Sequence, residues 1–248
     1  MKVTFIHHSC FCVELEDRVF IFDYFKGDKI PEYAFKGEIP EFLKEQKIYV
    51  FSSHQHGDHF DLEVLRWREK YPNIQYVFSK DIKLSDNYLT RKGFDLSIKE
   101  KIHFVKPKEC ISLDGIEIET LVSTDAGVAF LVTYAGKTIY HAGDLHWWHW
   151  DGQEAVINEY QEKTYKRQIE RLKDKHIDIA FVVLDHRLET ALFWGIDYFM
   201  KHVDAECVIP MHLWQKYELI RQYKEFAKQE IIANRILDVM GENQVFNL

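Results

Sequence analysis

The chain has 248 residues, enough for one well-packed domain and tight for two. Apolar residues make up 46% and charged residues 29%, as in ordinary soluble proteins, and a net charge of −8 disfavours the basic surface that non-specific nucleic-acid binding needs. No apolar run is long enough for a membrane span or a secretory signal, and Cys10, Cys12, Cys110 and Cys207 match neither a disulfide framework nor a CxxC motif, so the expected compartment is the cytoplasm.

In chain order, residues 3–15 and 18–24 predict two strands joined at Glu16-Asp17. An irregular loop is expected over 28–40, a short helix over 41–47, and a buried strand at Ile48-Tyr49-Val50-Phe51. Asp61 is placed to cap a helix that Pro72 stops after about Tyr71. Strands follow near 74–78, 102–105, 110–113, 116–122, 128–134 and 138–141, with turn signals at Asp114-Gly115 and Ala135-Gly136. A long charged helix spans 153–174 with Val156, Tyr160, Ile169 and Leu172 assigned to one face. An apolar strand at 177–184, a helix at 195–203, a strand at 207–210, a helix at 215–229 and a short β ending over 235–247 complete the chain. With no linker, repeat or break in composition, one domain over 1–248 and a layered α/β sandwich are expected.

The chemistry concentrates at His54-Gln55-His56-Gly57-Asp58-His59, immediately past the buried strand at 48–51. Imidazole suits zinc and other first-row metals, and carboxylate supports the harder ones. Four potential ligands in one loop exceed what a tetrahedral site takes from one segment, so two adjacent metals are plausible. Asp144, after His141-Ala142-Gly143, and His212, after Ile209-Pro210-Met211, each follow another apolar strand, and strand ends of one rim are where α/β folds bind ligands.

These pieces, with His7-His8-Ser9-Cys10-Phe11, keep the order found in the metallo-β-lactamase superfamily, whose signature is His-x-His-x-Asp-His. Within it the chain resembles the L-ascorbate-6-phosphate lactonase-like branch. The resemblance implies an α/β, four-layer αββα sandwich with two divalent ions, zinc or manganese. His54 and His56 would hold the first, Asp58, His59 and His212 the second, and Asp144 would bridge them. Asp58 would also orient the attacking water as the catalytic group. The family's further first-site histidine is absent from Leu121-Val122-Ser123-Thr124-Asp125-Ala126-Gly127; Asp125 or water could take its place, or a single ion is held, and Asp125 equally suits a turn before Gly127.

Three residues are candidate substrate contacts, each with a structural alternative. His8 contacts substrate or is a satisfied strand-end histidine; Trp147, within His146-Trp147-Trp148-His149-Trp150, walls a pocket or forms an oligomer contact; Arg187 binds an anionic group or a structural carboxylate. His141 is expected to pack at its strand end. The leading expectation is a hydrolase that uses a metal-activated water on a small-molecule ester, lactone or phosphodiester. A nuclease of the same superfamily and a non-catalytic metal-binding or ligand-sensing protein are the alternatives. The expected partner is a small-molecule substrate, without nucleic acid or membrane, and a homo-oligomer is open.

Overall fold

The computed structural model describes residues 1–27, 31–228 and 230–248. Its strands are β1 (Lys2–His7), β2 (Cys10–Leu15), β3 (Arg18–Phe22), β4 (Lys47–Ser52), β5 (Ile74–Ser79), β6 (Ile102–Val105), β7 (Cys110–Leu113), β8 (Ile116–Val122), β9 (Val128–Tyr134), β10 (Lys137–His141), β11 (His176–Val183), β12 (Asp204–Met211) and β13 (Gln244–Asn247). The α-helices are α1 (Asp86–Arg91), α2 (Ala155–Glu170), α3 (Trp194–His202), α4 (Glu218–Ala227) and α5 (Glu230–Ala233). Contacts divide the chain into two compact units, 1–106 with 242–248, and 107–241.

The first unit is built on a seven-stranded sheet in the order β13-β1-β2-β3-β4-β5-β6. Strands β13 to β3 are antiparallel and β3 to β6 parallel. Continuous burial of β3, and of β4 after Lys47, matches their unbroken apolar runs, the pattern of strands covered on both faces. A core of Ile21, Val50, Leu65, Tyr76, Phe78 and Leu89 packs under the short helices. The second unit holds a six-stranded sheet, β12-β11-β10-β9-β8-β7, with its parallel part at β10-β11-β12 and the rest antiparallel. Among the described residues no helix is long and apolar enough to cross a membrane.

Several expectations need correction. The strand over 3–15 is two strands, because His8, at φ 49, turns the chain between β1 and β2. Of residues 41–47, expected as a helix, 41–46 are irregular with a turn at 44–45, and Lys47 already opens β4. The segment after Asp61 is a 3-10 helix, Leu62–Glu69; Asp61 does cap it, accepting from the Glu63 amide at 2.9 Å. Val156 and Tyr160 are 67% and 63% exposed, whereas Ile169 and Leu172 are fully buried. At roughly 100° per residue, Val156 and Tyr160 lie roughly opposite Ile169; the buried stripe of α2 instead runs through Asn158, Tyr165 and Gln168. The helix expected over 215–229 starts only at Glu218, and its Gln229 lies outside the described residues, as do 28–30 of the expected 28–40 loop.

His7, 3% exposed at the end of β1, supplies a testable energetic term. Its ring stacks on Phe25 and Phe35, and its Nε2 lies 2.6 Å from the Phe25 carbonyl oxygen, to which the neutral ring donates. Burial pushes its pKa down to about 4 despite that hydrogen bond. In the unfolded chain the group protonates as pH falls through about 6.5; in the folded chain it stays neutral to about pH 4. Its contribution is therefore fully present above about pH 6.5 and falls by about 1.4 kcal/mol per pH unit below it. Urea unfolding at pH 7 and pH 5 is expected to show about 2 kcal/mol less pH dependence in His7→Phe than in the parent chain. Equal pH dependence would contradict the assignment.

Candidate metal centre

Most residues with metal-ligand chemistry follow the C-terminal ends of the parallel strands in both sheets, at β3 and β4 in the first and at β10, β11 and β12 in the second, whereas His8 and Asp125 follow the antiparallel strands β1 and β8. Strand pairing continues just past those ends and fixes where each loop begins: the Asp23 amide donates to the Phe51 carbonyl, Ala142 to Phe181 and Leu184 to Met211, at 2.9–3.1 Å.

In the first unit Asp23, fully buried one residue past β3, organises the loop after β4. It accepts from the Ser53 amide and the Ser53 hydroxyl, both at 2.6 Å, and from His59 Nδ1 at 2.7 Å. The Ser53 hydroxyl, donating to Asp23, can accept from His54 Nδ1 at 2.9 Å. Both buried imidazoles are thus protonated on Nδ1 and present Nε2 as the ligand atom, the arrangement in which a carboxylate or hydroxyl orients a metal-binding histidine. His54 lies 4.6 Å from the His56 ring and 4.2 Å from the His59 ring, centroid to centroid. Asp58 Oδ2 stands 3.7 Å from His59 Nε2 and 3.6 Å from His8 Nε2. His54 and His59 are buried, Asp58 is 21% exposed in its side chain, and His56 is exposed, so the loop is anchored inside and open outside.

The second unit repeats the device. His212 Nδ1 lies 2.8 Å from Asp185 Oδ2, while its Nε2 is 3.5 Å from Asp144 Oδ1. Asp185 is fully buried; its carboxylate takes Arg187 Nε and Nη2 together at 2.5–3.0 Å and the Trp214 indole N–H at 3.3 Å. Burial would raise the Asp185 carboxyl, but the His212 and Arg187 hydrogen bonds outweigh it and hold the group well below the usual carboxylate range. His212, Trp214 and Gln215 all have positive φ, so the segment that carries His212 is strained and held by these contacts. Asp125 and Asp144 bring carboxylate oxygens within 4.8 Å of each other, and the Asp125 amide also makes a local turn bond to Ser123 Oγ at 3.2 Å.

Two ligand atoms on one metal at about 2.1 Å in tetrahedral geometry lie roughly 3.4 Å apart. The Nε2–Oδ separations of 3.5–3.7 Å are close to that value and too long for hydrogen bonds, so the donor sets of both units fit a divalent ion.

The structure thus gathers His54, His56, Asp58 and His59 in one unit and Asp125, Asp144 and His212 in the other. It brings His8 to Asp58. Trp147 packs against Trp194 and Tyr198 with the Lys166 ammonium 4.2 Å over its ring, and Arg187 engages Asp185. His141 is fully buried at its strand end and accepts from the Gly143 amide. Sequence reading passed over Asp23, Ser53, Asp185 and Thr124. Asp23 and Asp185 had one available signal, a carboxylate directly after an apolar strand. The Thr124 hydroxyl bonds the Asp144 and His146 carbonyls and the His146 amide, which fixes the backbone around Asp144.

His146 is fully buried, and burial pushes its pKa down to about 3, so the ring is neutral. A Cβ on Gly195 of α3 would come 2.5 Å from His146 Nδ1 and 2.8 Å from Nε2. Gly195→Ala is therefore expected to lower stability by about 1–3 kcal/mol through overpacking, read as a lower midpoint in denaturant. An unchanged midpoint would show that His146 has room to move.

Residues 2–212 match the beta-lactamase superfamily domain. A metal-dependent hydrolase from Alkaliphilus metalliredigens is 30% identical over the whole of both chains. Among solved structures, a metallo hydrolase from the archaeon Ignicoccus hospitalis superposes with a TM-score of 0.64 at 20% identity, covering 100% of this chain and 98% of that one. An isothiocyanate hydrolase from Delia radicum gut bacteria gives 0.58 at 17% identity, covering 100% and 99%; both structural likenesses concern the fold. The chain belongs to the metallo-β-lactamase superfamily. The expected α/β fold class is borne out as the metallo-β-lactamase fold, with two mixed sheets and their helices.

Proposed function

We propose that the chain is a metal-dependent hydrolase acting on a small-molecule substrate. In the first unit His54, His56, Asp58 and His59 would hold a divalent ion, and in the second unit Asp125, Asp144 and His212 would hold another. The observation that carries this reading is the pair of carboxylate-held histidines, Asp23–His59 and Asp185–His212, each turning Nε2 to within 3.5–3.7 Å of another carboxylate oxygen. The relative from Alkaliphilus metalliredigens, described as a metal-dependent hydrolase, supports the same activity.

A divalent ion held by these residues would supply Lewis acidity and make water nucleophilic near neutral pH. The chain's own groups do the rest. Asp23 and Asp185 fix tautomer and ring direction. Asp58, the partly exposed carboxylate of its cluster, accepts a hydrogen bond from the attacking water at Oδ2 and orients it. The exposed His56 edge leaves the approach open for substrate. Asp125 in place of a histidine adds an oxygen ligand, which makes its site harder and better suited to manganese than an all-histidine site. A small-molecule ester, lactone or phosphodiester is the substrate class, and the lactonase-like resemblance favours a sugar-phosphate lactone.

Elemental analysis of chain prepared without chelator, and again after manganese or zinc loading, tests the proposal. About two ions per chain support the full ligand set. One ion means that only one of the two donor sets is complete, and none after loading overturns the hydrolase reading.

A further inference from the structure

The loop between Asp144 and α2 builds a second feature that the metal chemistry does not use. A cavity of about 470 Å³ is lined by Trp150 and Trp194 together with His149, Asp151, Glu159 and Glu162. That volume suits a small organic molecule. None of the proposed metal ligands lines it.

Its aromatic wall is preformed. Asn158, buried on α2, accepts from the Trp150 amide at 3.1 Å and donates to the Trp150 carbonyl at 3.0 Å, which clamps that residue's backbone from both sides. The Trp150 ring lies parallel to Trp148, 2° from coplanar, and the Trp148 indole N–H is bonded to the Asp144 carbonyl at 2.9 Å. Trp194 is held by ring contacts to Trp147 at 5.3 Å and His149 at 4.7 Å, yet it stays 38% exposed. Thr190 fixes Asp151 with a 2.7 Å hydrogen bond. The indoles therefore need no reorganisation to receive a guest.

The charge on the walls selects the guest. Three carboxylates line the cavity and no lysine or arginine does, while the Arg187 guanidinium lies beside it, 5.8 Å from the Trp150 ring centroid. Lys163 and Lys166 pair with Glu159 and Glu162 along α2, but each pair engages only one carboxylate oxygen, and neither lysine reaches the lining. The acidic lining disfavours an anion there. A metal ion would use the carboxylates and gain nothing from the indole faces. An organic cation meets both features at once, because indole faces attract ammonium groups and the carboxylates add long-range attraction.

We infer that this cavity binds an organic cation, an ammonium or alkylammonium group, against Trp150 and Trp194. The site concerns recognition and is independent of whether the metal ligands work as proposed.

Choline and its neutral isostere 3,3-dimethylbutan-1-ol have the same shape and differ in charge. Each is titrated into the full-length chain, with and without loaded metal, by calorimetry and tryptophan fluorescence. Choline is expected to bind saturably, and the isostere about fivefold or more weakly. Trp194→Leu, at an exposed position, should weaken choline about fivefold with the fold retained, and Glu162→Gln by about two- to threefold. Equal affinity for the isostere, acetate bound more tightly than choline, unchanged binding in Trp194→Leu, or absence of saturation would each overturn the inference. Because the readout needs neither metal nor turnover, failure of the hydrolase reading leaves it intact, and the reverse also holds.

Discussion

Asp58→Ala is expected to remove bound metal from its cluster and lower hydrolysis by at least about a thousandfold. The estimate follows from losing several kcal/mol of charge stabilisation, at about 1.4 kcal/mol per factor of ten. Two separate roles are lost: a carboxylate 3.6–3.7 Å from the Nε2 atoms of His8 and His59, and the group that orients water. The fold should survive, because Asp58 is partly exposed, whereas Asp23, Ser53 and the strand ends hold the loop. Metal content, turnover and far-UV circular dichroism on the same preparation separate these effects. Full metal content with lost turnover would confine Asp58 to the water. Unchanged metal and unchanged turnover would sink the assignment. His54→Ala serves as the companion variant, with loss of metal expected there too.

The second large effect is at a residue that touches no metal. Asp185→Asn keeps an acceptor for His212 Nδ1 but removes the charge that Arg187 and His212 share. Metal affinity is expected to fall by about 10–100-fold, the usual consequence of losing the carboxylate behind a metal-binding histidine. Stability should fall by about 1–3 kcal/mol; the value is held down because the Arg187 side chain is 44% exposed and its stranded charge is partly solvated. The pH dependence has a fixed sign. The folded carboxyl titrates below its unfolded value, so its contribution is present above about pH 4 and is lost as pH falls through the folded value. Metal competition titrations and denaturant unfolding at neutral and acid pH check both parts. A variant that binds metal as tightly as the parent would show that Arg187 and Trp214 hold His212 without the carboxylate's charge.

Most strands were legible because their pattern is local. The alternation and apolar runs of β4 to β11 carry their own boundaries in turn residues such as Asp114-Gly115 and Ala135-Gly136. Helices were harder. Residues 41–47 have ordinary helical composition, yet 41–46 are irregular with a turn at 44–45, and the face of α2 was misassigned because Val156 and Tyr160 are a turn apart from each other but half a turn out of phase with Ile169. The break at His8 was invisible because a lone left-handed histidine leaves no mark in an apolar-rich stretch.

The sequence by itself determined the candidate metal ligands: a dense histidine and aspartate loop after a buried strand, and Asp144 and His212 in the same context, read from spacing and family resemblance. Only the tertiary structure decided which groups hold those ligands. Asp23 lies 36 residues from His59, and Asp185 lies 27 from His212, distances along the chain that no local pattern spans. Parallel strands bring their C-terminal ends side by side, and a residue there gains partners from neighbouring strands instead of from its own segment. Trp150 and Trp194 line one cavity through contacts of both ranges: Asn158, eight residues on, clamps Trp150, and Trp147 packs on Trp194 across a longer separation.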